Sequence, residues 1–436
     1  MISMPDKKSV HIITYGCSNN QAESQIMAGT LNESGFFITD EERADIIIVN
    51  TCSVKGKTES KIFHSIAEMQ KKYPEKKIII SGCLPEAELN RVKKIAPKSV
   101  IVGTNHISKI AVAADFALKD EAVVFVGKNV EKKVDVPKIR TNPVVDIVPI
   151  SNGCLSFCSF CSTKIAKGDL TSFDADSIVK EIKNAKIGSG AKEFWLTSQD
   201  CGCYGFDAST NIAQLIEKIV KNVSGEYFLR AGMANPQHMK RFLPQLLNVY
   251  EDGHVFKFIH VPVQSGNDDV LKRMSRGHTA EDYRIIMNEF RKKFDATAWT
   301  DIIVGFPGET DDEFEDSVKL MKNTEPDVVN ISSYSARPGT KSAKMKQVPT
   351  EIKKDRTRIM ADAAREIYKK RNKKWLGWTG KIIVDEFNPE KKSFIGRNIA
   401  YKPVVVKENL EIGQILDVKV VDFTSTYLVG EAVKNA

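Results

Sequence analysis

Three cysteines between residues 154 and 161 are separated by three and then by two residues. Cys154, Cys158 and Cys161 follow an apolar run that predicts a strand over residues 144–150. Three thiolates spaced in this way can each bind one corner of a 4Fe-4S cube, and the local sequence offers no fourth cysteine. One iron would then stay open for another ligand, and the loop has to form at the end of a strand.

A zinc site and a set of unrelated buried thiols are the two alternatives to a cluster at these cysteines. Structural zinc sites usually close with four ligands in paired short spacings, and here no histidine or cysteine follows within the next thirty residues. The spacing therefore favours an iron–sulfur cluster over both alternatives without excluding them.

The residues around the loop carry a resemblance to a known family. With Asn152-Gly153 directly before Cys154, the loop resembles that of the radical S-adenosylmethionine enzymes. The resemblance implies that the open iron binds the amino and carboxylate groups of S-adenosylmethionine.

A second set of three cysteines occupies equivalent places near the start of the chain. Between residues 9 and 118, short apolar strands alternate with amphipathic helical stretches, which predicts a parallel sheet flanked by helices. Three of these strands are followed by Cys17, Cys52 and Cys83. A single cysteine at such a place is more often a small buried residue near a turn. Because the carboxyl ends of parallel strands gather at one edge, three of them predict a second 4Fe-4S cluster with an open iron.

Residues 144–349 predict a partial (β/α)6 barrel, with strands at 144–150, 193–198, 226–231, 256–263, 299–305 and 328–333. The active site of such a barrel lies at the carboxyl ends of its strands. The resemblance implies that the turn after the second strand lies near the methionyl part of the cofactor, and the glycine turn after the fifth strand near its adenine. The candidate cofactor-binding residues at these ends are Ser198, Gln199, Asp200, Arg230, Gln264, Gly305 and Glu309.

The C-terminal part of the chain predicts a basic helix and a small β unit. Residues 351–374 contain ten Lys or Arg against four acids, with an apolar stripe predicted from Ile352, Ile359, Ala363, Ile367 and Tyr368. This charge is either a solvated face or a nucleic-acid contact. Five short strands follow and predict a closed barrel.

The stretch 396–406 resembles the TRAM domain, an RNA-binding β module, and offers charge and a stacking face for single-stranded RNA. The candidate RNA-binding residues are Arg397, Tyr401, Lys402, Lys370 and Arg371.

The whole chain is most similar to the methylthiotransferases, in their archaeal and eukaryotic branch. The motifs are Asn50-Thr51-Cys52-Ser53-Val54, Ser81-Gly82-Cys83-Leu84-Pro85, and residues 260–266 with 274–279. The resemblance implies two 4Fe-4S clusters, S-adenosylmethionine, and methylthiolation at carbon 2 of N6-threonylcarbamoyladenosine next to the anticodon of tRNA. An electron donor and a sulfur source are implied as partners. It assigns no catalytic residue beyond the cluster ligands.

Alternatives are the same chemistry on isopentenyladenosine or on a ribosomal-protein aspartate, and a non-catalytic iron–sulfur protein that binds RNA. The chain departs from the family pattern at Lys167, where arginine is usual, and at Ser172-Phe173, where Ser-Arg is usual. Cys201 and Cys203 flank a glycine near the presumed cofactor and are interpreted as non-ligand thiols.

The predicted domain limits are 1–127 for the N-terminal α/β domain, 128–143 for a linker, 144–349 for the barrel, 350–378 for the basic helix and 379–436 for the β-barrel. Eight cysteines in 436 residues are too few for a disulfide scaffold and favour a reducing cytosol. No signal peptide or membrane span is expected. A net charge of +8 suits a polyanionic partner.

Overall fold

The computed structural model describes residues 8–53 and 56–433. Val54 of the motif around Cys52, and the predicted domain limits at 1 and 436, lie outside these residues. Within the described part of the chain, no helix is long and apolar enough to cross a membrane. An α/β domain, a partial barrel and a small closed barrel follow one another along the chain.

A sheet of six parallel strands forms the N-terminal domain. The strands are β1 Ser9–Thr14, β2 Phe37–Ile38, β3 Ile46–Thr51, β4 Lys77–Gly82, β5 Val100–Gly103 and β6 Val124–Phe125. They pair in the order β2-β1-β3-β4-β5-β6. The helices are α1 Ser18–Glu33, α2 Gly56–Lys72, α3 Cys83–Ala87, α4 Leu89–Ile95 and α5 Ile110–Leu118. The predicted parallel sheet is confirmed.

The hydrophobic run of β3 accounts for the cover on both faces of this sheet. Successive side chains of a strand point to opposite faces. Ile46 and Ile48 accordingly pack with α1 and α5, whereas Ile47 and Val49 pack with α2 and α4. All six residues of β3 are buried, as is typical of a central parallel strand.

The central domain is a partial barrel. Its strands are β7 Val145–Pro149, β8 Ser151–Asn152, β9 Thr171–Ser172, β10 Glu193–Thr197, β11 Phe228–Ala231, β12 Phe258–His260, β13 Thr297–Val304 and β14 Val328–Ser333. Its helices are α6 Ser162–Lys167, α7 Ala175–Ser189, α8 Ile212–Asn222, α9 Pro236–Met239, α10 Leu243–Val249, α11 Asp268–Arg273, α12 Ala280–Lys293 and α13 Asp311–Thr324. The parallel sheets β7-β10-β11 and β12-β13-β14 supply the six predicted barrel strands.

The C-terminal part consists of a long helix and a closed β-barrel. The helix is α14 Thr350–Lys373, and the strands are β15 Thr379–Asn388, β16 Ser393–Asn398, β17 Pro403–Val406, β18 Ile415–Phe423 and β19 Leu428–Ala432. The five strands form a closed barrel, as predicted, in the order β15-β16-β17-β19-β18.

The partial barrel is covered along its first strand and at one end. Ala22 of α1 packs against Val145 and Ile147 of β7, so the N-terminal domain shields this edge strand. Val144 and Phe256, just before β7 and β12, pack with Tyr401 of the C-terminal barrel. The small barrel therefore sits at the amino ends of the strands, and their carboxyl ends stay free for the site.

Two local predictions need correction. The buried face of α14 runs through Met360, Ala364 and Ile367, while Ile352 and Ile359 of the predicted stripe are about two-fifths exposed. The helix is turned because the buried Arg356 joins this face through ion pairs. Residues 128–143 lack regular structure, as expected for a linker, yet Lys133 is buried within them.

A buried aspartate joins the barrel, α14 and the C-terminal barrel. Asp327, just before β14, forms ion pairs with Arg291, Arg371 and Lys402 at 3.2, 3.0 and 2.8 Å. Burial raises the pKa of Asp327, but Lys402 and Arg371 outweigh it and hold the pKa at about 2. The ionised carboxylate therefore stabilises the fold at neutral pH.

We predict that Asp327→Ala lowers the free energy of unfolding by about 3–5 kcal/mol, because it leaves buried cations without their counterion. Denaturant unfolding at neutral pH measures this loss. Since the folded pKa is lowered, the difference from the parent should shrink as the pH falls from about 4 towards 2. Asp355→Ala on the exposed face of α14 is the control, and an equal loss there would contradict the role of Asp327.

Candidate functional site

The cysteines of the N-terminal domain lie together at the carboxyl edge of its sheet. The strands β1, β3 and β4 are neighbours, and the last residues of β3 and β4 pair with each other. Cys52 and Cys83 follow these paired ends, and Cys17 follows β1. Gly16 has a φ of +123°, and a Cβ on it would lie 3.0 Å from Cys52 Sγ. Glycine is required there because the Cys17 turn comes so close to Cys52.

The three thiols differ in exposure. Cys17 is exposed, whereas Cys52 and Cys83 are buried. Burial raises the pKa of Cys83 to about 12, although the ammonium of Lys167 acts in the opposite direction. Such a thiol keeps its proton until a metal replaces it. Three sulfur donors at one sheet edge fit a cluster with one open iron.

The barrel loop brings the other three cysteines together after β7. Ser156 N donates to Cys154 Sγ and Arg276 Nη1 donates to Cys158 Sγ, both at 3.3 Å. Burial raises the pKa of Cys161 to about 11, and the neighbouring Cys158 adds to this shift. N–H groups directed at cysteine sulfurs stabilise the negative charge of an iron–sulfur cluster. The loop therefore fits the predicted cluster.

The two cysteine loops touch each other across the domain boundary. Ser162 Oγ, next to Cys161, donates to the carbonyl oxygen of Ser53, next to Cys52, at 2.7 Å. Asn105 Nδ2 donates to the carbonyl of Ala166 at 3.1 Å, and the helices α3 and α6 pack together. The sequence placed the two sets in separate domains, and the structure brings residues next to each set into contact with each other.

The turn after β10 supports the barrel loop. The predicted cofactor residues in this turn are Ser198, Gln199 and Asp200. Gln199 Oε1 accepts a hydrogen bond from Gly153 N at 2.7 Å, directly before the first cysteine. Asp200 Oδ1 accepts from Gly202 N and Asn235 N at 2.9 and 3.0 Å, while its Oδ2 lies 4.0 Å from Cys154 Sγ. The geometry thus positions a buried carboxylate beside the cluster loop.

Sequence reasoning missed three residues of this network, His238, Asn235 and Arg276. His238 Nε2 lies 3.6 Å from Asp200 Oδ2 and 3.2 Å from Ser156 Oγ. Burial lowers the pKa of His238, so its imidazole is neutral at pH 7. Arg276 belongs to the stretch 274–279, which the family pattern had marked, whereas a lone histidine carries no such signal.

The other predicted cofactor residues also make contacts within the protein. The guanidinium carbon of Arg230 lies 4.9, 4.8 and 5.1 Å from the ring centroids of Trp195, Phe258 and Tyr401. These cation–π contacts help to hold the C-terminal barrel in place. A direct contact of Arg230 with the cofactor stays a prediction.

The two remaining turns are shaped by their neighbours. Gln264 has a φ of +74°, rare for a residue with a side chain, and its N–H donates to Asp301 O at 2.8 Å. Glu309 Oε2 accepts from Gly305 N at 2.7 Å and from Arg356 Nη1 at 2.8 Å. The carboxylate of Glu309 therefore ties the glycine turn to α14, and its predicted role at the cofactor stays a prediction.

Cys201 and Cys203 are both buried in a short turn next to Asp200. Cys203 Sγ, Cys154 Sγ and a carboxylate oxygen of Asp200 all lie within 4.8 Å of one another. Contact with the Cys154 thiol and burial raise the pKa of Cys203, which therefore stays protonated. This is consistent with its interpretation as a non-ligand thiol, which stays a prediction.

The predicted RNA contacts need correction. Tyr401 and Lys402 are each 4% exposed, because they pack against the partial barrel. Arg397 is paired with the buried Asp385 at 3.0 Å, and Arg371 with Asp327. Only Lys370 of the five is exposed, and it pairs with Glu325. The structure therefore contradicts surface RNA contacts by Tyr401 and Lys402.

Comparison with protein families matches each of the three parts of the chain. Residues 9–103 match the uncharacterized protein family UPF0004, residues 148–321 the radical SAM superfamily and residues 375–433 the TRAM domain. The radical SAM match spans both the Cys154 loop and the turns discussed above.

Similar proteins cover the whole chain. A protein of Pyrococcus abyssi named "Probable threonylcarbamoyladenosine tRNA methylthiotransferase" is 40% identical over 97% of this chain and 99% of its own length. The human "Threonylcarbamoyladenosine tRNA methylthiotransferase" is 32% identical over 100% of this chain and 76% of its own.

Among solved structures, the radical S-adenosylmethionine methyltransferase TsrM of Kitasatospora setae has a TM-score of 0.57 at 13% identity, covering 78% of this chain and 75% of that one. The cobalamin-dependent enzyme OxsB has a TM-score of 0.52 at 14% identity, covering 84% of this chain and 58% of that one. At such low identity, these two likenesses show the fold alone.

Proposed function

The chain belongs to the threonylcarbamoyladenosine tRNA methylthiotransferases, and from this membership we propose how its two sets of cysteines share one reaction. The enzyme adds a methylthio group at carbon 2 of N6-threonylcarbamoyladenosine in tRNA. We assign Cys154, Cys158 and Cys161 to the cluster that binds S-adenosylmethionine. We assign Cys17, Cys52 and Cys83 to a second cluster that carries the sulfur.

The reaction requires two such sites for a chemical reason. The carbon–hydrogen bond at carbon 2 of an adenine has no acidic proton, so a side-chain base cannot activate it. When bound, the two clusters and S-adenosylmethionine supply the radical that removes this hydrogen, the sulfur that replaces it and the methyl group. An electron donor and a sulfur source from outside the chain complete the set.

The observation that carries the proposal is the direct contact between the two cysteine loops. The Ser162–Ser53 hydrogen bond lies one residue from a predicted ligand of each cluster. A substrate base between the loops would then meet both reagents without moving from one domain to the other. Holding reactants in such proximity is a major source of catalytic acceleration.

The side chains around the barrel loop prepare the cofactor site. Asp200 and His238 are each about 2% exposed, so little water reaches them. The carboxylate of Asp200 lies beside Cys154 and would attract the ammonium group of S-adenosylmethionine. Arg276 and the amide of Ser156 hold the cysteine sulfurs in place.

We predict that Cys158→Ala abolishes cleavage of S-adenosylmethionine, whereas Cys52→Ala still cleaves it but forms no methylthio product. The measurement is mass spectrometry of nucleosides from tRNA carrying threonylcarbamoyladenosine, after anaerobic incubation with reconstituted enzyme, a reductant and S-adenosylmethionine. Deoxyadenosine, measured in the same samples, reports the cleavage of S-adenosylmethionine.

Cys201→Ala is the control, because it removes a buried thiol outside both sets and should keep product formation. Methylthio product at the parent rate from Cys52→Ala would refute the second cluster site. If the parent enzyme releases deoxyadenosine but leaves this tRNA unchanged, N6-threonylcarbamoyladenosine is not the substrate.

The long helix α14 runs from the site to the C-terminal barrel and is the element along which we place the tRNA. Lys353 packs against Gly305 at the carboxyl end of β13, and Arg371 pairs with Asp327 at the amino end of β14. The 24 residues of α14 span about 36 Å and so connect the site with the C-terminal barrel. Near its end, Lys369, Lys373 and Lys374 are exposed. We assign tRNA contact to these lysines in place of the buried residues.

We predict that replacing Lys369, Lys373 and Lys374 together by alanine weakens tRNA binding by about tenfold or more and reduces its salt dependence, because phosphate contacts are lost. Filter binding over a range of salt concentrations measures both effects, and S-adenosylmethionine cleavage without tRNA should not change. Replacing three exposed lysines elsewhere, Lys319 and Lys322 of α13 and Lys221 of α8, is the matched control. Equal weakening by both sets would show a general charge effect instead.

A further inference from the structure

Lys167 reaches from one domain into the other. It is the last residue of α6 in the barrel domain, six positions after Cys161, and is 4% exposed. Its Nζ donates to Glu23 Oε1 at 2.5 Å and to Thr104 Oγ1, both in the N-terminal domain. The end of the barrel's cysteine loop is thereby attached to the domain that carries the other three cysteines.

A second buried lysine shares the same carboxylate oxygen. Lys133 Nζ donates to Glu23 Oε1 at 2.6 Å and to the carbonyl oxygen of Thr104 at 2.7 Å. Glu23 is fully buried, and burial raises its pKa, but Lys133 and Lys167 outweigh this and hold it at about 2. Two cations are therefore fixed by one carboxylate.

The two lysines differ in what else they face. Lys167 ends α6, which packs against α3, the helix that begins at Cys83. Its partner Thr104 donates its backbone N–H to the carbonyl oxygen of Gly82, directly before Cys83, at 3.0 Å. Lys133 lies among residues 128–143 instead, outside α6; burial and Lys167 lower its pKa, while Glu23 and Glu131 act in the opposite direction. Lys167 thus places its charge near the cysteine edge of the sheet, while Lys133 helps to hold Glu23 and Thr104 in place.

We propose that Lys167 is a positioning residue for the sulfur-carrying cluster, where its fixed ammonium charge stabilises the anionic cluster and the anionic sulfur bound to it. The inference rests on the proposed function and deepens it. A thiolate-ligated cluster with a sulfide on its open iron carries negative charge, and a nearby buried cation favours it. The ligand class is hydrosulfide or another small anionic sulfur species.

A purely structural role would not require this charge pattern. A neutral hydrogen-bonded pair could join the two domains without the cost of burying a charge. What only a cation supplies is attraction for the thiolates and for sulfide. Charge and attachment can be separated, because Lys133 binds the same carboxylate oxygen from residues 128–143, whereas Lys167 binds it from α6, which packs against the helix that begins at Cys83.

The test uses the full-length chain with Cys154, Cys158 and Cys161 replaced by alanine, so that only the second cluster is loaded. Lys167→Met, Lys167→Arg and Lys133→Met are compared in this background. Redox titration followed by electron paramagnetic resonance gives the midpoint potential of the cluster. Titration with sodium hydrosulfide, followed by the same spectra, gives its affinity for sulfide.

Lys167→Met should shift the midpoint to a more negative potential and weaken hydrosulfide binding by at least about tenfold, because one buried charge near the cluster is lost. Lys167→Arg should stay close to the parent in both, since it keeps the charge. Lys133→Met should also stay close to the parent. Equal shifts in Lys133→Met and Lys167→Met, or no shift in Lys167→Met, would overturn the proposal.

Loss of iron also decides the question. Iron lost from Lys167→Met alone supports a requirement for the charge, whereas iron lost from all three variants shows a structural role and overturns it. A parent chain that loads no iron at the second site refutes the proposed function itself. If the midpoint potential and the hydrosulfide affinity shift as expected but the full enzyme forms no methylthio product, the role of Lys167 stands and only the proposed reaction is refuted.

Discussion

The cysteine loops of the N-terminal domain and of the partial barrel contact each other directly. Each loop follows strands of a different domain, so neither domain contains a complete site. The Ser162–Ser53 hydrogen bond and the buried pair of Lys167 with Glu23 hold the loops against each other. Because a buried ion pair is costly to break on one side, the two domains dock in one arrangement.

The two ends of the partial barrel make different contacts. The carboxyl ends of the strands carry the cysteine loops and the Asp200 network. At the amino ends, Tyr401 of the small barrel packs against Val144 and Phe256, and Asp327 ties that barrel to α14 through Lys402 and Arg371. The C-terminal barrel is therefore remote from the cysteine loops, and α14 is the element that spans the distance between them.

Local sequence patterns predicted most strands and helices correctly. They also predicted that Cys17, Cys52 and Cys83 lie just after strands, and that the loop with the other three cysteines follows the first barrel strand. They failed where a non-local contact decides the outcome. Tyr401 and Lys402 have the composition of an RNA surface, yet the docking of two domains buries them. The partner of Lys167 lies 144 residues away in the chain, so its position looked like a simple departure from the family pattern. On α14, the buried Arg356 turns the packed face away from the most apolar residues.

The proposed reaction requires two iron–sulfur clusters that face one substrate base across this domain contact. Electron paramagnetic resonance of the fully reduced enzyme, loaded with both clusters, tests it most directly. We predict that spin–spin coupling broadens the spectrum. The broadening should disappear in Cys158→Ala and in Cys52→Ala, because each variant keeps only one intact cluster site. A spectrum equal to the sum of these two variants would show that the clusters are far apart and would contradict the claim.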